Sequence, residues 1–136
     1  MLHRRPIRII TVAAILFISA PATVAVATDA DTTPPTAPYL AYYSGLQWLP
    51  WLGPCQVTVG LDRSTDDVTP QSALTYEVFA DGVYLGTLID RGTYSGVWGT
   101  LILNHGGSNT ITAKAVDAAG NRSAPSNAGV ITGYGC

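Results

Sequence analysis

Carboxylate and amide side chains gather at two places in the chain. Asp62, Asp66 and Asp67 stand in LDRSTDDVTPQS, and Asp117 and Asn121 in AVDAAGNRSAPSN. Oxygen clusters of this sort can hold calcium, which takes roughly six to eight oxygen ligands. The spacing lacks the EF-hand pattern, however, and Asp and Asn are also the usual formers of turns. The sequence therefore assigns these residues to the scaffold and expects no metal site and no cofactor.

A second candidate is aromatic. YLAYYSGLQWLPWLGPC, beginning at Tyr39, carries Tyr39, Tyr42, Tyr43, Trp48 and Trp51 within thirteen residues. Flat exposed rings stack on the apolar faces of sugars, so Trp48, Trp51, Tyr42 and Tyr43 are the candidate ligand-binding residues. The competing reading has Tyr39, Trp48 and Trp51 covering one end of a small core. That reading is preferred, because an exposed apolar patch needs a partner to explain it. Trp98 is expected in the core.

Catalysis has little support. His105, the sole histidine after residue 27, adjoins Gly106 and Gly107 in an expected turn. No serine stands in a G-x-S-x-G elbow. A glycosidase needs two carboxyl groups across a cleft, and a chain this short offers none. The chain is expected not to be an enzyme.

The elements that must carry these residues begin after a leader. Arg4, Arg5 and Arg8 precede an apolar run from Ile9 to Ile18, Pro21 ends it, and Ala25-Val26-Ala27 gives a small-x-small cleavage pattern. Residues 1–27 thus read as a secretory signal peptide. An uncleaved anchor is the alternative, although the run is short of the approximately 20 apolar residues a spanning helix needs. In the 109 residues after Ala27, four basic residues against nine acids leave a net charge of −5. Without a basic patch, nucleic-acid binding is not expected. Nor is membrane association after signal cleavage, and the exported chain is expected to be monomeric. Two cysteines, Cys55 and Cys136, follow the signal. An even count in an oxidising compartment favours one disulfide over a metal or catalytic thiol. Closing a loop of that length is worth roughly 4–5 kcal/mol in the chain-entropy model.

Residues 28–38 are polar and proline-rich, a leader rather than a core element. Beyond them, short alternating segments separated by turn residues predict strands over 39–43, 56–61, 74–80, 83–87, 94–103, 110–116 and 127–132. Val57, Val59 and Leu61 share one face, as do Leu74, Tyr76 and Val78, and Ile111, Ala113 and Ala115. Asp81-Gly82 is a two-residue hairpin signal. Seven such strands predict an all-β immunoglobulin-like sandwich over 39–136.

The sequence carries a more specific likeness. DTTPPTAP, STDDVTP, YEVFADGVYLGT and AVDAAGNRSAPSN resemble the ordered motifs of a fibronectin type III domain of the bacterial extracellular kind. The likeness covers most of 31–131. It departs at Leu61, where the family commonly has tryptophan, at Ile111, where it usually has tyrosine, and in a longer segment between Tyr39 and Cys55. The resemblance implies a module of the type that accompanies secreted polysaccharide-degrading enzymes and adhesins. With strands reversing in order, Cys55 and Cys136 fall at one pole and the acidic loops at the other. The functional expectation is a secreted, extracellular, non-catalytic binding or spacer module whose partner is extracellular polysaccharide or a cell-surface component. The alternative is a small extracellular enzyme or hydrolase inhibitor acting through its loops.

Overall fold

A computed structural model describes residues 30–46, 55–92, 94–103 and 107–133. The signal segment 1–27, Trp48, Trp51, His105 and Cys136 lie outside the described residues. Among the described residues there are seven strands: β1 (Tyr39–Leu46), β2 (Gln56–Asp62), β3 (Thr75–Ala80), β4 (Val83–Ile89), β5 (Val97–Ile102), β6 (Gly107–Val116) and β7 (Gly129–Gly133). They form two antiparallel sheets, one ordered β1-β2-β5 and the other β4-β3-β6-β7. Among the described residues no helix is long and apolar enough to cross a membrane.

The alternation predicted from sequence is the alternation that fills the core. Val57, Val59 and Leu61 of β2 meet Tyr76, Val78, Ile111, Ala113 and Ala115 of the facing sheet, all essentially without solvent contact. Leu74 joins them from the last turn of a short 3-10 segment, Gln71–Ala73, so β3 starts one residue later than the sequence suggests. Asp81 and Gly82 both have positive φ, 49° and 79°, which is the two-residue turn that matches the twist of paired strands. The Asp81 side chain also accepts a hydrogen bond from the Thr110 backbone N–H at 2.8 Å, which fastens the β3–β4 hairpin to β6.

Gly99 breaks the apolar pattern of β5 for a steric reason. A Cβ there would lie 2.3 Å from a methyl group of Leu88 in β4, so the missing side chain is the socket that lets the two sheets close. Cys55, just before β2, is buried, and its carbonyl accepts from Leu103 N–H at 2.9 Å. It is not a free thiol. Cys136, its expected partner, lies outside the described residues.

The segment after β6 explains the other quoted motif. Ser123 and Ser126 are buried, and their hydroxyls accept from the N–H groups of Ala115 and Ala113, each at 2.9 Å. Their own N–H groups donate back to the same two residues. NRSAPSN thus runs along β6, with the Ser123 and Ser126 hydroxyls supplying acceptors for the Ala115 and Ala113 N–H groups. The Asn127 side chain then spans to the opposite sheet, accepting from Leu40 N–H at 2.7 Å and donating to its carbonyl at 3.2 Å.

Candidate functional site: an aromatic face and an acidic pole

Register decides which rings meet. Tyr42, Gly60 and Trp98 pair across β1, β2 and β5 in one row, on the face of the three-stranded sheet turned away from the core. The Trp98 ring lies over Gly60, where a Cβ would come within 2.8 Å of it. Tyr42 and Trp98 stand 5.3 Å apart between ring centroids, tilted by 42°. Trp98 is therefore not core, contrary to the expectation from sequence: it is 44% exposed. Val97 and Leu101 take the inward positions of β5, so strict alternation sends Trp98 outward between them.

Tyr94, 68% exposed, extends this face. Together with Ser95 and Trp98 it lines an open groove of about 400 Å³. A smaller crevice of about 40 Å³ opens among Ile89, Arg91, Tyr94, Gly96 and Trp98. The next row of the same face is hydroxylated, with Thr58 and Thr100 hydrogen-bonded at 2.9 Å beside Ser44. Flat rings next to hydroxyl groups form a surface with both apolar and hydrogen-bonding character.

Arg63 sets the position of the Tyr94 segment. Its Nε and Nη2 bind both oxygens of Asp90, the second at 2.9 Å, and Nη2 also donates to the Tyr94 carbonyl at 2.9 Å. A longer bond reaches the Ser95 carbonyl at 3.4 Å. Asp90 is well shielded and also accepts from Gly92 N–H at 2.8 Å. The Arg63 hydrogen bond, aided by Gly92, outweighs burial and holds the Asp90 carboxyl below its ordinary pKa. A similar fork joins Arg122 to Glu77 at 3.0 Å on the other sheet, and lowers the Glu77 pKa.

Tyr43 belongs elsewhere. It follows Tyr42 and so points to the opposite side of β1, where its ring lies against Gly129 of β7. Adjacent in sequence, Tyr42 and Tyr43 do not share a platform. Tyr39 is also well exposed, so it does not cap the core as expected.

The acidic pole is formed by three segments. Asp31, Asp66 and Asp117 bring carboxylate oxygens within 4.8 Å of one another. Sequence reasoning grouped Asp66 and Asp117 with Asp62 and Asp67. The latter two are exposed and outside this group, while Asp31 enters from the leader. The leader is not loose there: Pro35 and Pro38 are buried, Thr36 N–H donates to the Thr65 carbonyl at 2.9 Å, and Thr65 N–H donates to Thr36 Oγ1 at 2.8 Å. Asn121 Nδ2 joins the segments, donating to the Asp31 carbonyl at 3.0 Å and to Asp117 Oδ2 at 2.8 Å. Asp117 is only 6% exposed. Burial raises its pKa most strongly, but hydrogen bonds from the Asn121 side chain and from the backbone of Asn121, Gly120 and Ala119 together bring it below the ordinary value.

No protein-family model matches the chain, and a search of curated proteins finds no match. Sequence reasoning missed Tyr94, Trp98 and Asp31. The first two could have been found by keeping Val97 and Leu101 in phase and placing Gly60 beneath the tryptophan. Asp31 left no comparable signal, because only the fold brings the leader to the pole.

Proposed function

We propose that the chain is a secreted, non-catalytic binding module that engages carbohydrate, in a polysaccharide or at a cell surface, through Tyr42, Trp98 and Tyr94. One observation carries the reading: a half-exposed tryptophan seated on a glycine, with Tyr42 beside it, Tyr94 lining the same groove and a row of hydroxyl groups next to it. Sugar rings present apolar C–H faces and polar edges, which such a surface complements. A fibronectin type III-like identity is supported by the 3 + 4 strand order and the Asp81-Gly82 hairpin. Secretion is supported by the signal-like segment 1–27 and by the paired cysteine count.

Binding of the exported protein to insoluble polysaccharides, measured by depletion from solution, tests the reading. Trp98→Ala is expected to weaken binding by about tenfold, the equivalent of roughly 1–2 kcal/mol of stacking. Unchanged binding, or hydrolase turnover that His105→Ala abolishes, overturns it. The proposed Cys55–Cys136 bond belongs to the same reading. Reduction should add the mass of two hydrogens, and two thiols alkylated without reductant would refute it.

A further inference from the structure

We infer that Asp31, Asp66 and Asp117 form a calcium-binding site that fastens the leader to the two loops of the acidic pole. The inference is independent of carbohydrate binding. It rests first on two carboxylate oxygens that the protein leaves unanswered. Asp31 Oδ2 and Asp66 Oδ1 are both buried from solvent, with no hydrogen-bond partner. Their sister oxygens are satisfied locally: Asp31 Oδ1 accepts from Thr33 N–H at 3.1 Å, and Asp66 Oδ2 from Thr69 N–H at 2.7 Å and Val68 N–H at 3.2 Å. Each carboxylate is thus anchored by one oxygen and leaves the other without a partner. A buried anionic oxygen without a partner is costly, and here two of them stand beside a third carboxylate.

The protein supplies no cation to this cluster from its two described arginine forks. Arg63 is committed to Asp90 and Arg122 to Glu77. Asn121 contributes neutral N–H donors only to the Asp31 carbonyl and to Asp117. The distances suit one shared ion. Two oxygens bound to the same calcium at about 2.3–2.6 Å can lie no more than about 5 Å apart, and the three carboxylates meet within 4.8 Å. An all-oxygen donor set selects a hard cation, and irregular ligands from three loops suit calcium's flexible coordination better than magnesium's strict octahedron. Water completes the coordination sphere.

The test uses the full exported chain, treated with chelator and then freed of it. Calcium chloride raised to about 10 mM covers the weak affinities usual for extracellular modules. The melting temperature should rise by about 5 °C or more, and calorimetry should give one calcium per chain. Asp31→Asn and Asp66→Asn retain an oxygen for the local N–H bonds and remove one charge each. Each should weaken calcium binding by at least about tenfold while leaving the chelated protein folded. Magnesium at the same concentration should give a smaller shift. No shift with calcium, wild-type affinity in either variant, or an equal response to magnesium overturns the assignment.

Discussion

The acidic pole and the aromatic face are built on opposite plans. At the pole, three distant segments are joined through short polar contacts: leader to loop by Thr36 and Thr65, and leader to turn by Asn121. Apart from Asp31 Oδ2 and Asp66 Oδ1, the polar groups described there hold other groups of the same chain. On the aromatic face, rings point outward, and Trp98 rests on a flat seat at Gly60. The first plan makes side chains structural even where they are charged. The second leaves large apolar side chains with surface to spare, so a substitution there can alter what the protein meets more than how it folds.

Arg63 connects the two regions and marks the largest expected effect. It follows β2 at the entrance to the pole loop, yet its guanidinium reaches Asp90 and the carbonyls of the Tyr94 segment. Arg63→Met keeps much of the stem and leaves the shielded Asp90 carboxylate unpaired. The expected outcome is a clear loss of stability, read by denaturant unfolding, because the shielded carboxylate loses its charged partner. Because Arg63 also holds the Tyr94 carbonyl, carbohydrate binding per folded molecule should fall as well. Binding lost together with stability would show that the Tyr94 segment needs its brace.

Acid sharpens the same comparison. The folded Asp90 pKa is lowered, first by the Arg63 hydrogen bond, so this pair contributes stability above the unfolded carboxylate value of about 4. That contribution is lost as pH falls through the folded value. Glu77, lowered by Arg122, follows the same sign. In Arg63→Met the unpaired carboxylate instead gains from protonation. Wild type and variant should therefore converge in stability as pH falls below about 4, and a gap that stays constant there would count against the Arg63–Asp90 assignment.

A smaller effect is expected at Asn121. Its side chain donates to the Asp31 carbonyl and to Asp117, so Asn121→Ala removes two bonds at the pole. The cost should be about 1–3 kcal/mol, with faster hydrogen exchange at Thr36 and Thr65 as the leader loosens. An unchanged leader would mean that Pro35 and Pro38, both buried, hold it without Asn121.

The contrast also explains what could be read from the sequence. Strands announce themselves locally: Val57, Val59 and Leu61 alternate, and Asp81-Gly82 turns, because period and turn chemistry act within a few residues. The all-β sandwich and its inward faces were legible for that reason. Trp98 is the exception: Val97 and Leu101 take the inward positions, so phase turns the largest ring of β5 outward. The pole was only half legible. Asp66 and Asp117 could be matched by supposing that their loops share an end, but Asp31 is brought in by tertiary docking of a segment whose composition reads as a linker. Tyr42 and Tyr43 show the same limit at short range, since one step along a strand separates surface from seam.

The smallest stability effect, and the cleanest test of the second plan, is expected at Tyr94. Its backbone carbonyl, not its ring, accepts from Arg63, so Tyr94→Ala leaves the brace intact. The ring is 68% exposed, and its removal should change stability by no more than about 0.5 kcal/mol. Trp98→Ala should cost more, since half the indole lies against Gly60 and Tyr42. If the face stacks on sugar, Tyr94→Ala should nonetheless weaken polysaccharide binding by roughly fivefold or more. Loss of binding without loss of stability isolates recognition from folding in a way Trp98 cannot. Should Tyr94→Ala be silent in both measurements while Trp98→Ala affects stability alone, the indole is explained as a cover for the Gly60 gap, and the face loses its claim to a ligand.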